Sequence, residues 1–318
     1  MIAFTDSIII FKNFRDNDVF IFDGQGKALK KLSRGPSGRE YLVAHGVVYD
    51  DKNRELFIND LYAHKIKVYD LDGEFKRALP YITADTIHYP FLHGYVGYDR
   101  VLNYDNESLI CYVKLNMKNP VFLISKQTGE KLKDIIIPYR KRVFVDYETP
   151  GSRAPQINYQ PLLKAHDGII IAESSSDTIY HLSYKNTVLR PILYRTPSIQ
   201  TMKTPVFVIP MKNIGSVLFV NIVKKENYNY TYRAGSLMCE YKEGKGIYDI
   251  AKTNIPMWYS TNFLLEHEIR QNVFLSPSSA DLVSKFYQTS RLPEDMKEIA
   301  SHVKEDDNPV MAIFTIQK

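Results

Sequence analysis

The chain has 318 residues, of which 44% are hydrophobic, and it contains 23 Tyr and 16 Phe. This composition excludes disorder as a global state and favours a core built from aromatic strand formers. The formal net charge of +5 comes from 41 Lys and Arg scattered among 36 Asp and Glu. Such a scattered excess is typical of a solvated surface, so no nucleic-acid partner is predicted. No segment reaches the roughly 18 apolar residues of a membrane span.

A sequence motif that occurs twice near the N-terminus predicts the fold. In both copies, 19–27 and 66–74, a strand of alternating apolar residues ends in Asp, crosses a Gly-containing turn and starts a second strand. This is the sequence form of a β-hairpin. The copies lie one propeller-blade length apart, about 40 to 50 residues, and a weaker third copy occupies 122–130. We therefore predict an all-β, six-bladed β-propeller, although insertions in the third and sixth units leave seven short blades open.

In chain order, the strand patterns form six units of one predicted propeller domain spanning 1–318. A repeat architecture allows a single domain of this length because each unit buries its faces against its neighbours. In the third unit, the middle strands are predicted on either side of Asp105 to Asn119. The linker Tyr139 to Gln160 is expected to fold over one face. The approximate predicted blades are 1–33, 42–80, 86–138, 157–195, 203–251 and 254–318.

The last unit departs from the strand pattern. It begins with predicted strands at Pro256 to Tyr259 and Asn262 to Glu266. Leu292 to Val303 then places apolar residues at helical spacing, with acids in the first turn, and predicts a helical insertion in the last blade. The final apolar segment, Asn308 to Ile316, is predicted to pair with the N-terminal segment, because closing the ring removes exposed strand edges.

Two cysteines, Cys111 and Cys239, fall in strands of different units. A long-range disulfide and two buried thiols are both open, and the thiols are favoured because no short-spaced cysteine framework accompanies them. The N-terminus lacks a basic-then-apolar export pattern and runs almost directly into a strand. We therefore expect that upstream residues, including any export signal, are absent from this sequence.

The chain resembles a known family, the six-bladed β-propeller proteins of Bacteroidetes with NHL-like blades. The matching motifs are the turns at Asp23 and Asp70, the loop from Arg34 to Tyr41, and the segment Glu305 to Val310. The loop is similar to a Gly-x-Gly-Pro-Gly-Glu-Tyr pattern, with an Arg in place of one Gly and a longer spacing. Many members are known only by fold or as lipoproteins of unknown function. The resemblance implies a propeller exported to the periplasm or cell envelope, and it transfers no catalytic residues.

Loop residues supply the candidates for ligand binding. In propellers, the loops from second to third strand and the crossings between blades open on one face, around the central channel. On that face we place Arg34, Arg39, Tyr41 and Tyr62 as predicted ligand-binding residues, since guanidinium forks grip carboxylates or phosphates and aromatic rings suit sugars or peptides. A structural reading of the loop, with Glu40 pairing one Arg, is favoured because Gly and Pro already explain the turn. Further aromatic residues in or near the crossings are Tyr89, Tyr147, Tyr159, Tyr228 and Trp258.

Three residues are candidates for catalysis. Asp60 and His64 lie four positions apart in one predicted loop, and Glu173 begins an acidic loop. They are the candidate acid–base groups of an alternative function, a channel-face lyase or hydrolase. No His-Glu-x-x-His, paired-Cys or calcium-loop spacing appears. No metal site and no cofactor are predicted.

The sequence thus predicts a monomeric, exported binding module with no catalysis assigned. Its partner would be a small-molecule, glycan or peptide ligand, or an envelope protein. The alternatives are the channel-face enzyme and a structural scaffold in an envelope assembly. An enzyme requires convergent titratable groups at the channel mouth, a ligand-binding module requires a concave pocket lined by aromatic and Arg side chains, and a scaffold requires an exposed apolar patch.

Overall fold

The structure is a computed structural model. It describes residues 2–13, 15–82, 97–145, 159–227, 230–242, 246–249, 267–270, 273–278, 280–289, 294–304, 306–307 and 310–315. Within these residues, the strands form five four-stranded sheets and one three-stranded sheet. Every strand pair inside these sheets is antiparallel, and each sheet takes consecutive strands of the chain.

The strand bounds are as follows. The first sheet has β1 (Ala3–Phe4), β2 (Ile8–Lys12), β3 (Val19–Asp23) and β4 (Ala28–Lys31), and the second has β5 (Ala44–Asp50), β6 (Glu55–Asp60), β7 (Lys65–Asp70) and β8 (Phe75–Pro80). The third has β9 (Arg100–Asn103), β10 (Ser108–Tyr112), β11 (Val121–Ser125) and β12 (Lys131–Asp134), and the fourth has β13 (Leu162–Ala165), β14 (Gly168–Ile171), β15 (Thr178–Ser183) and β16 (Leu189–Tyr194). The fifth has β17 (Val206–Ile214), β18 (Val217–Asn227), β19 (Tyr230–Glu240) and β20 (Ile247–Asp249), and the last has β21 (His267–Arg270), β22 (Val273–Ser278) and β23 (Val310–Thr315).

At four sheet boundaries, the first strands of neighbouring sheets contact each other. β5 contacts β9, β9 contacts β13 and β13 contacts β17. β21 of the last sheet contacts β1 of the first. Sheets whose first strands meet in succession, with the last sheet meeting the first, form a propeller-like all-β fold.

The turn between third and fourth strands recurs with the same hydrogen bonds. Asp23 and Asp70 each use Oδ1 to accept two backbone N–H groups of the turn, at 2.9 to 3.0 Å. Gly26, Gly73 and Gly129 adopt φ angles of +83°, +79° and +78° in three successive sheets. Gly adopts a positive φ at little steric cost, whereas other residues are strained there. This explains why each copy of the motif contains a glycine at this position.

The hydrophobic core lies between neighbouring sheets. Leu109 and Cys111 of β10 pack in a cluster with the second sheet, whereas Ile110 and Tyr112 pack in a cluster with the fourth. Because both faces of β10 are buried, its sequence shows no polar alternation. The prediction that Asp105 to Asn119 only separates two strands is therefore wrong, since this segment contains β10.

The two cysteines are buried free thiols, so the favoured alternative to a disulfide is confirmed. Cys111 belongs to β10 of the third sheet and Cys239 to β19 of the fifth. Burial raises the pKa of both thiols. A thiol kept protonated in this way is a packing group, since the thiolate is the reactive form.

The last sheet differs from the prediction in its pairing. β23 pairs with β22, from Val273 opposite Thr315 to Ser278 opposite Val310. Pairing of the C-terminal strand with the N-terminal segment was therefore the wrong prediction, because β1 completes the first sheet by pairing with β2. The strands predicted at Pro256 to Tyr259 and Asn262 to Glu266 lie outside the described residues.

Two helices lie between β22 and β23. They are α1 (Ala280–Gln288), which was not predicted, and α2 (Glu294–Ser301), which occupies the predicted helical segment. The two helices contact each other. No described helix is both long enough and apolar enough to cross a membrane.

Candidate functional site

The crossing between the first and second sheets, residues 33–43, contains most of the predicted ligand-binding residues. Arg34 ties this crossing to the first sheet. Its Nη1 donates to the backbone carbonyl of Asp16, and its Nε lies 4.0 Å from Oδ1 of Asp18. The Arg34 side chain nevertheless keeps 43% of its surface exposed, so it can still reach a ligand.

Asp60 ties the same crossing to the second sheet. Its side chain is fully buried at the end of β6. The carboxylate accepts backbone N–H groups from Leu42 at 2.8 Å, Val43 at 3.3 Å and Ala63 at 3.3 Å. These bonds bring the crossing and the turn between β6 and β7 together, as the sequence predicts for one loop face. A buried carboxylate occupied by three backbone donors is a structural anchor, with no side presented to a substrate.

Tyr41 lies in the core, with no exposed surface. Its hydroxyl accepts the N–H of Val19 and donates to the carbonyl of Asn17, both at 3.2 Å. Burial raises the pKa of Tyr41 to about 12, with smaller contributions from neighbouring groups. Tyr41 therefore secures the crossing against the first sheet and is not presented to a ligand.

Arg39 is the most available of the predicted cationic groups. Its side chain is exposed and has no ion-pair partner in the described part of the chain, while its carbonyl accepts the Tyr69 hydroxyl at 2.8 Å. Glu40, the expected partner of one Arg, folds over Gly35 instead, where an added Cβ would lie 2.5 Å from Oε2. The loop is thus held by its backbone and leaves the Arg39 guanidinium to solvent.

Tyr62 and His64 lie in the adjacent turn between β6 and β7. The Tyr62 side chain is 60% exposed. His64 is also exposed, with φ of +51°, and its ring meets Tyr81 edge-on at 6.3 Å. The turn therefore presents an aromatic ring and an imidazole beside the Arg39 loop.

Glu173 anchors a crossing to the fourth sheet, as Asp60 anchors one to the second sheet. It is buried in the loop between β14 and β15, and its Oε1 lies 2.6 Å from Nη1 of Arg142, which belongs to the incoming crossing. Oε1 also accepts the backbone N–H and the hydroxyl of Ser175, at 3.0 and 2.9 Å. Burial disfavours the charged form of Arg142, but Glu173 more than offsets this and the pKa of Arg142 is raised. Glu173 is therefore the second carboxylate engaged in holding a crossing.

A small cavity lies beside Glu173, between the fourth and fifth sheets. Asp177 and Arg195 also line it, and its volume is about 20 Å³. That volume suits one or two water molecules and is too small for a sugar ring. Asp177 is engaged in turn with the outgoing crossing, because its carboxylate accepts the Ser198 hydroxyl at 2.5 Å and the Ile199 N–H at 2.7 Å.

The structure does not bring the three catalytic candidates together. Asp60 and His64 belong to the second sheet, and Glu173 belongs to the fourth. In the described part of the chain, no three His, Cys, Asp or Glu side chains form a group that could hold a metal ion. Tyr159 is engaged locally, since its hydroxyl donates to the Ala172 carbonyl at 2.6 Å. The other aromatic candidates, Tyr89, Tyr147, Tyr228 and Trp258, lie outside the described residues.

The sequence matches, over residues 1–315, a family described as a domain of unknown function, DUF4934. The chain belongs to the DUF4934 family. No curated protein matches the sequence.

Three solved structures are similar to this chain at low sequence identity. A predicted exported protein of Bacteroides fragilis NCTC 9343 is 12% identical, with a TM-score of 0.65, covering 100% of this chain and 90% of its own. A DUF4221 family member from Bacteroides vulgatus is 10% identical, with a TM-score of 0.47 and coverages of 78% and 81%. A β-propeller domain from Myceliophteria thermophila is 10% identical, with a TM-score of 0.39 and coverages of 79% and 85%. The similarity to the first of these shows the fold alone.

Sequence reasoning missed a group of basic residues in this DUF4934 chain. Lys12, His45, Arg100 and Lys164 come from four different sheets, at or near the strands that meet across sheet boundaries. No motif joins them, and their sequence separations are large. Only the alignment of the first strands around the fold brings them near one another.

Proposed function

We propose that this DUF4934 chain is a single six-bladed, NHL-like β-propeller domain that acts as an exported ligand- or partner-binding module. The six-blade proposal is supported by the five four-stranded sheets and the three-stranded sheet, and by the contact between β21 and β1 that links the last sheet to the first. Helices α1 and α2 would then be an insertion in the last blade. Glycans and peptides are the ligand classes that we propose.

The observation that supports binding over catalysis is the use of the two acidic candidates. Asp60 accepts three backbone N–H groups, and Glu173 is paired with Arg142 while both are buried. A general acid or base must reach a substrate proton at hydrogen-bond distance. The Asp60 carboxylate and Oε1 of Glu173 both accept donors of the protein itself, and this fits an anchoring role better than a role as general acid or base.

The surface left for a ligand combines cations with an aromatic ring. Arg34 and Arg39 lie on the crossing, and Tyr62 lies on the neighbouring turn that Asp60 holds to it. A guanidinium fork binds carboxylate or sulfate groups in two-point geometry, and a phenol ring stacks on a sugar face or a peptide side chain. An acidic glycan or an acidic peptide matches this surface.

The test is a binding titration with matched variants. Ligands are first selected from oligosaccharides and short peptides that raise the melting temperature, since binding to the folded state stabilises by mass action. Arg39→Ala and Tyr62→Ala should each weaken binding of such a ligand about tenfold or more in calorimetry. Arg190→Ala and Tyr194→Ala remove the same side-chain types from the exposed outer strand β16 and should leave binding unchanged. Equal losses of affinity in all four variants, or no loss in any of them, would contradict the proposal that this surface binds the ligand.

The proposed location is the periplasm or cell envelope, as a lipoprotein or a secreted protein. It rests on the family resemblance and is consistent with the fold shared with the exported Bacteroides protein. Fractionation of the native cells with an antibody against this chain should place it in the envelope fraction. Recovery with cytoplasmic markers would contradict the proposal.

A further inference from the structure

The four basic residues come from four consecutive sheets. Lys12 ends β2, His45 lies in β5, Arg100 begins β9 and Lys164 lies in β13. β5 contacts β9, and β9 contacts β13. Lys12 Nζ donates to the His45 carbonyl at 3.2 Å, which joins the first sheet to the second.

Strand alternation places two of the four basic side chains in the same gap between sheets. Leu102 of β9 and Leu162 of β13 pack in the same hydrophobic cluster between the third and fourth sheets. Side chains two residues apart on a strand point to the same face. Arg100 therefore shares the face of Leu102, and Lys164 shares the face of Leu162. Both cations thus point into the gap between the third and fourth sheets.

His45 and Lys164 combine exposure with desolvation. Both side chains keep solvent-accessible surface. Nevertheless, burial lowers the pKa of both. For His45, a hydrogen bond to the Asp99 backbone opposes this effect, whereas nearby Lys12 and Arg100 add to it. For Lys164, nearby Arg100 lowers the pKa further. These effects place Arg100 within electrostatic reach of both His45 and Lys164, and Lys12 within reach of His45.

Three of these basic groups lack an acidic partner within the described residues. His45, Arg100 and Lys164 form no salt bridge there. Arg100 donates one bond from Nη2 to Gln160 at 3.1 Å, and its Nε is buried without a hydrogen-bond partner. Oδ2 of the adjacent Asp99 accepts the backbone N–H of Lys114 at 2.6 Å. Clustered like charges and a buried unpaired donor destabilise the folded state unless an anion accompanies them.

We propose that Lys12, His45, Arg100 and Lys164 form an anion-binding site for a small oxyanion. The carboxylates of an acidic sugar or an organic acid, and a phosphate group, share this chemistry. The unpaired Nε of Arg100 and the exposed ammonium of Lys164 supply the donors. This site goes beyond the proposed function, because it uses none of the loop residues and can succeed or fail independently of them.

The experiment uses citrate, galacturonate and inorganic phosphate as probes, with neutral galactose as the reference, at low salt. Citrate should raise the melting temperature and bind saturably in calorimetry. Its affinity should fall at least tenfold as the salt concentration rises from about 0.05 to about 0.5 M, because salt screens exposed charges over this range. Tighter binding of galacturonate than phosphate would identify carboxylates as the natural ligand group, and the reverse order would identify phosphate. Failure of all three anions to bind would overturn the proposal.

Lys164→Gln tests the residues. It should weaken citrate binding at least tenfold and, because it removes one of several like charges, raise the melting temperature of the ligand-free protein. Lys185→Gln makes the same change of net charge on an exposed turn and should leave both quantities unchanged. If Lys164→Gln does not fold, His45→Gln takes its place. Equal citrate affinity in the two lysine variants would overturn the proposal.

Discussion

Replacement of Glu173 by Gln should destabilise the protein strongly, since the change leaves a buried cation without its partner. Arg142 Nη1 lies 2.6 Å from Glu173 Oε1, and their side chains are only 2% and 0% exposed. Removing one member of a buried ion pair costs about 3–5 kcal/mol, because the remaining charge stays desolvated. A chain of this length loses about 1.5 °C of melting temperature per kcal/mol. We expect Glu173→Gln to lower the melting temperature by about 5–7 °C.

Urea unfolding followed by circular dichroism measures the corresponding free energy at pH 7. The matched control is Glu294→Gln, because Glu294 pairs with Lys297 at 2.5 Å but is 88% exposed. Exposed pairs contribute at most about 1 kcal/mol, so this variant should unfold almost as the wild type does. A loss below about 1 kcal/mol in Glu173→Gln would refute the view that this carboxylate anchors the crossing.

Three further predictions concern stability. Thr187 has φ of +50° in the turn between third and fourth strands, where three other sheets have Gly. Thr187→Gly should therefore raise the free energy of unfolding by about 0.5–1 kcal/mol in urea titrations. An unchanged or lower value would contradict strain at this turn. Hydrogen bonds from Arg77 lower the pKa of Glu55 despite its burial, with help from Lys76. The stabilisation from the ionised Glu55 is present above the ordinary glutamate pKa and is lost as pH falls through the lowered pKa. Between pH 6 and 3, the melting temperature should therefore fall less steeply in Glu55→Gln than in the wild type. Equal slopes in the two proteins would contradict this prediction. Tyr41→Phe should cost about 1–3 kcal/mol in unfolding and leave ligand affinity unchanged, and a loss of affinity in the folded variant would assign Tyr41 to the site.

Local features of the fold were predictable because their causes lie within a few residues. The Asp of each repeated turn bonds to N–H groups two and four positions ahead, and the glycine follows from the positive φ between them. Strand β10 was missed because burial on both faces removes the alternation that identifies a strand. The partner of the C-terminal strand was missed because pairing between distant segments leaves no local pattern.

The candidate site was predictable in position but not in the state of its side chains. The sequence correctly brings the crossing and the turn after β6 together, since both follow from propeller connectivity. It cannot distinguish the buried Tyr41 from the exposed Tyr62, because both are tyrosines in loops. The pairing of Glu173 with Arg142 and the group around Lys164 depend on contacts between sheets, which no spacing in the sequence encodes.

The most direct test of the binding account is equilibrium dialysis of the purified protein against the oligosaccharide and peptide panel, with mass spectrometry of both compartments. We expect at least one ligand to be retained with the protein, at unchanged mass, and its retention to fall in Arg39→Ala. Conversion of a retained compound to a product of different mass would contradict a binding module and indicate an enzyme. Retention of no compound would contradict ligand binding and favour the scaffold alternative.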